Sequence, residues 1–135
     1  MTRDEISGWI WSAKAKKEEY ERTVEECNKK IARLKPVYQK LGEIKSDFKS
    51  AKKNTEEVFK EKGTWRGEKH SSFCNAGDSL CDVSEAYYRR LDTAQDEVNR
   101  KIGELENQKL KLIPLIGDLA AQINWLWVEF NNAVN

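Results

Sequence analysis

Two long runs of apolar residues, each spaced alternately by three and four, leave this chain few ways to fold. In the first half Tyr20, Val24, Cys27, Ile31, Leu34, Tyr38 and Leu41 keep strict alternation, and the stripe continues through Ile44, Phe48, Ala51, Thr55 and Val58. In the second half Phe73, Gly77, Leu80, Ser84, Tyr87, Leu91, Ala94 and Val98 do the same, followed by Ile102, Leu105, Leu112, Ile116, Leu119, Ile123, Leu126 and Phe130. Such a pattern puts one apolar face on an α-helix and none on a strand. The expected class is therefore all-α.

One break separates the runs. Lys62-Gly63-Thr64-Trp65-Arg66-Gly67 holds two glycines where the stripe weakens, and Gly suits the left-handed residue just past a helix C-terminus. The chain reads as a single domain over 1–135: helix 1 over about 5–62, a turn at 63–67, and helix 2 over about 68–133. Thr2 and Glu5 offer a capping box. Pro36 and Pro114 interrupt the hydrogen-bond ladder and predict kinks, since the apolar phase persists on both sides, with a split into more helices as the alternative. A short turn makes the helices antiparallel neighbours, roughly 85 and 100 Å long at 1.5 Å per residue. The expectation is a coiled-coil-like hairpin whose thin core is completed to a bundle by a partner or by a second copy.

Composition agrees. Charged residues make up 35% and the hydrophobic set 39%, which suits helices that bury a stripe and leave the rest wet. Residues 1–64 carry 16 basic and 12 acidic side chains, and residues 65–135 carry 8 and 11, so the halves are weakly complementary. The net charge of +1 with mixed signs gives no basic footprint for nucleic acid. The most apolar stretch, Leu110 to Phe130, contains Lys111, Pro114, Asp118, Gln122, Asn124 and Glu129, so no integral membrane segment is expected. No apolar signal-peptide core opens the chain. Cytoplasmic synthesis is expected, with any exit by a route that reads no cleavable peptide.

Catalytic, cofactor and metal sites are not expected. His70 and Cys74 share a helix face, but Cys81 lies about 10 Å further along, beyond what one zinc ion spans. Cys27, Cys74 and Cys81 read as small hydrophobes at the seam. A thin helical pair encloses no pocket for nucleophilic catalysis. Paired acids such as Glu18-Glu19 and Glu56-Glu57 read as solvated helix faces.

The tryptophans ask for more. The antiparallel register brings Trp9 and Trp11 near Trp125 and Trp127, with Trp65 at the turn. Residues two apart point about 200° away from each other on a helix, so at least one of each pair stays exposed in a lone hairpin. Together with Phe130 these side chains form an expected partner interface.

A Trp-x-Gly at the turn of a two-helix hairpin, here Trp65 and Gly67, resembles the WXG family of type VII secretion proteins. Leu41, Ile44, Phe48 and Val58 before the turn, with Phe73, Leu80 and Tyr87 or Tyr88 after it, are similar to the YwqH-like branch of Bacillota over roughly residues 28–130. The resemblance implies a non-enzymatic chaperone. It would bind the helical LXG domain of a toxin, with a second small helical partner in some assemblies, and help present the toxin for export. It also implies an export pair of the form Tyr-x-x-x-Asp/Glu, for which Tyr88 and Asp92 qualify, although they stand early in helix 2. The residues alone leave other readings open: a self-associating coiled-coil scaffold, including a homodimer, or a peripheral helix pair touching lipid with its tryptophan end.

Overall fold

A computed structural model describes residues 1–61 and 68–134, with backbone only for 58–61 and 68–75. The expected turn at 63–67, with Trp65 and Gly67, lies outside the described residues. So do the side chains of His70, Phe73 and Cys74.

Two helices make the fold, an all-α hairpin: α1 (Arg3–Glu61) and α2 (Glu68–Asn132). Pro36 and Pro114 lie inside them, and each helix continues through its proline. α1 starts where the sequence offers a cap. Thr2 Oγ1 accepts the Glu5 N–H at 3.3 Å, and the Thr2 carbonyl takes the Ile6 N–H at 3.1 Å, which satisfies donors that a helix N-terminus leaves free. Asp4 and Glu5 sit in that first turn, where negative charge suits the positive end of the helix.

The chain divides into two compact units, each pairing a segment of α1 with one of α2. Unit 1 comprises Met1–Arg33 and Lys101–Asn135, and unit 2 comprises Leu34–Arg100. Among the described residues unit 1 holds most of the buried hydrophobic side chains. Ile6, Ile10, Ala13, Cys27 and Ile31 of α1 are buried, as are Ile102, Leu105, Ile123 and Leu126 of α2. Ile6, Ile10 and Leu126 form a cluster in it, with Phe130 and Ala133 packed against them. Arg3 closes the open end. Its Nε donates to the Ala133 carbonyl at 3.1 Å, and its guanidinium lies 5.4 Å from the centre of the Phe130 ring. A cation is well placed there, because the last carbonyls of a helix carry its negative end.

Unit 2 is drier in pattern than in fact. Among its described residues Leu91 is the buried large hydrophobic, and Leu34, Leu41 and Phe48 are half-buried. Leu80 and Tyr87, expected at the seam, are exposed, although Phe48 and Tyr87 still pack with ring centres 4.8 Å apart. Two helices cover a seam from one side each, so residues at its margins stay wet. Polar contacts make up part of the difference. Lys45 bonds Asp92, and Lys52 pairs with Glu85 at 3.5 Å. The partner number falls from 92 to 85 as α1 advances from 45 to 52, which is the antiparallel sense.

Candidate functional site

Two places gather the residues that the sequence singles out. The first is in unit 1. Ser7, Ile10, Trp11, Lys14, Ala15 and Glu18 of α1 form a groove with Trp127 and Phe130 of α2, with a volume of about 350 Å³. The one-turn spacing of Ser7, Trp11, Ala15 and Glu18 places them on one side of the helix. Trp127 and Phe130 meet edge to face with ring centres 5.4 Å apart, and the Lys14 ammonium stands 5.3 Å from the Trp127 ring centre. Both geometries are favourable for aromatic rings, whose faces are negative and edges positive. They hold Trp127 in place without covering it. Trp127 remains 41% exposed and Trp11 76%.

All four tryptophans of this end are exposed. The sequence requires only one of each pair to be. Trp11 and Trp127 come together in the groove, whereas Trp9 and Trp125 do not line it. The reason is the thinness of the layer: Ile6, Ile10 and Leu126 fill the narrow space between the helices, leaving no room for indoles. An exposed groove with aromatic walls, and with Lys14 and Glu18 on its α1 side, can receive an apolar side chain projecting from another helix.

The second place is in unit 2, around Tyr88 and Asp92. Tyr87 is the expected seam residue, with Tyr88 turned partly outward, but Tyr88 is the more covered of the two. The cause is Lys45. Its ammonium donates to Asp92 and to Gln95 Oε1 at 3.4 Å, and it stands 5.3 Å from the Tyr88 ring centre. Gln95 Nε2 donates in turn to the Tyr38 carbonyl at 3.5 Å. One α1 lysine therefore engages both members of the Tyr88/Asp92 pair. No pattern within either helix signals Lys45 or Arg3, because each finds its partner across the hairpin.

The hydrogen bond to Asp92 raises the Lys45 ammonium above its ordinary 10.5, aided by the charges of Asp92, Tyr88 and Asp96 and opposed by partial burial. A group raised in the fold contributes stability that is complete below its unfolded value and is lost as pH climbs through the folded one. Asp92→Asn should therefore lower the urea midpoint at neutral pH, and the gap to the parent should close above about pH 10.5. Chemical denaturation of both proteins from neutral to strongly alkaline pH tests this. A gap that stays constant across that range contradicts it.

Among the described residues no cluster of His, Cys, Asp and Glu could hold a metal ion, and no helix is long and apolar enough to cross a membrane. Cys27 is buried and Cys81 half-buried, both as free thiols.

Fold and surface together define a two-helix protein that exposes aromatic side chains at a groove between its helices. The chain belongs to the YwqH-like family, whose model matches residues 10–127. No curated protein and no solved structure matches it.

Proposed function

We propose that this protein is a non-enzymatic targeting chaperone that binds the helical LXG domain of a type VII secretion toxin and promotes its export. The observation that carries the reading is the exposed groove of Trp11, Trp127 and Phe130, in a chain that belongs to the YwqH-like family. A folded hairpin that leaves four indoles in water has surface to bury against another helix. In this reading the Trp65-x-Gly67 sequence motif is what the secretion machinery reads. Tyr88 and Asp92 form the export pair, held by Lys45 until the machinery engages it. The assembly leaves the cytoplasm through the type VII system.

Co-expression with any LXG domain encoded near this gene tests it. A stable complex on size-exclusion chromatography, with the toxin exported only when the chaperone is present, is the expected outcome. Purified proteins that show no mutual affinity would remove the reading.

A further inference from the structure

α2 has a second apolar row that the hairpin does not use. Over residues 105–126 its inward face, with Leu105, Ile123 and Leu126 buried, is turned to α1. On the outer side Leu110, Ile113, Trp125 and Val128 stand 66%, 50%, 54% and 55% exposed. Pro114, Gly117, Ala121 and the polar Asn124 continue the row between them, also exposed. A Cβ added at Gly117 would meet nothing within 4 Å. Roughly 27 Å of helix, at 1.5 Å per residue, thus presents to solvent a row of apolar and small side chains in which Asn124 is the one polar member.

The row reads the same from both ends. About the level of Leu119, Leu110 and Val128 stand nine positions to either side, Ile113 and Trp125 six, and Gly117 and Ala121 two. Bulky residues mark the ends and small ones the centre. Two such helices laid antiparallel would set Leu110 against Val128 of the copy and Ile113 against Trp125. At the centre Gly117 would meet Ala121, where small side chains let backbones approach closely. A two-fold contact requires this self-complementarity.

The charges choose the same direction. Lys111 and Glu129 are eighteen positions apart, five full helical turns, so they occupy one flank of the row. In the antiparallel pair Lys111 falls within one turn of Glu129 of the copy, twice. In a parallel pair this flank lies on opposite sides of the contact in the two copies, so Lys111 and Glu129 do not meet across it. Asp118 is the opposing term, since it falls near its own copy at the two-fold axis, with Gln122 of the copy within reach of its carboxylate.

We infer that the outer face of α2, from Leu110 to Val128, is the contact surface for a second copy of this chain, packed antiparallel about Leu119. The surface lies outside the groove of Trp11 and Trp127, and the inference does not rest on the toxin reading.

Sedimentation velocity of the full chain across the micromolar range tests it. The parent protein should be a dimer. Gly117→Leu should be a monomer that melts no lower than the parent's isolated hairpin, because the new side chain has open space in the monomer and favours the helix. That separates loss of the contact from loss of the fold. Lys111→Glu should weaken the dimer, and adding Glu129→Lys should restore it. A parent chain that stays monomeric throughout overturns the inference, even if the monomer binds a toxin through this face. A dimer that survives both Gly117→Leu and Leu110→Glu also overturns it. Toxin binding that persists in the Gly117→Leu monomer would leave the proposed function standing by itself.

Discussion

Leu126→Ala should destabilise the protein by about 3 kcal/mol, within the range seen when a buried leucine is truncated. Leu126 is 2% exposed and packs with Ile6 and Ile10 where α1 begins and α2 ends. The substitution removes the transfer energy of the lost methyl groups and leaves a gap that few neighbours can fill. A small domain has only about 5–15 kcal/mol in total, so a loss of this size is a large share of it. The cluster also anchors Phe130 and Ala133, so the Arg3 clasp on both should loosen with it. Urea denaturation followed by circular dichroism reads the effect. With a slope of about 1–3 kcal/mol per molar urea, the midpoint should fall by about 1 M or more. Val83→Ala, at a side chain 66% exposed, should change stability by less than about 0.5 kcal/mol. Equal losses at the two positions would mean that the Ile6–Ile10–Leu126 cluster does not hold the helices together.

Trp11→Ala and Trp127→Ala should each weaken binding of the LXG domain by about 30-fold or more, the effect of losing a central aromatic anchor worth 2 kcal/mol. Trp11 is the cleaner test, because so little of it is covered in the free protein that its loss costs the fold little. Trp127→Ala also removes the ring contacts of Phe130 and Lys14, and its helicity and melting should be measured beside its affinity. Trp125→Ala serves as a control of a different kind. It lies outside the groove, so toxin affinity should change by less than about threefold, while self-association through the α2 outer face should fall. Titration calorimetry with the purified LXG domain separates the outcomes. Unchanged affinity in both Trp11→Ala and Trp127→Ala would exclude the groove as the binding site.

Much of the fold is legible in the sequence because it follows from spacing. The three-four recurrence from Tyr20 to Leu41, and again from Leu91 to Leu126, names the helices and most of their inward residues. Thr2 and Glu5 announce the start of α1 by residue type. The candidate site is legible in part. Two tryptophans two positions apart cannot both face one neighbour, and that places exposed indoles at this end before any coordinates. What the spacing misjudges are the margins of the seam. Leu80 and Tyr87 keep the pattern yet stay wet, since periodicity marks a direction on a helix and says nothing of how far the opposing helix reaches to cover it.

Helix identity and the directions of side chains were thus set by the sequence, through rules that act within a few turns. Cross-hairpin register was set by the tertiary structure. Lys45 lies forty-seven positions from Asp92, and Arg3 one hundred and thirty from Ala133, distances over which no local pattern can speak. Only the antiparallel packing of α1 on α2 brings Lys45 to the Tyr88 ring and the Asp92 carboxylate, and Arg3 to the last carbonyls of α2. The same packing fills the narrow seam with Ile6, Ile10 and Leu126, and so leaves Trp11 and Trp127 outside it as the walls of a groove.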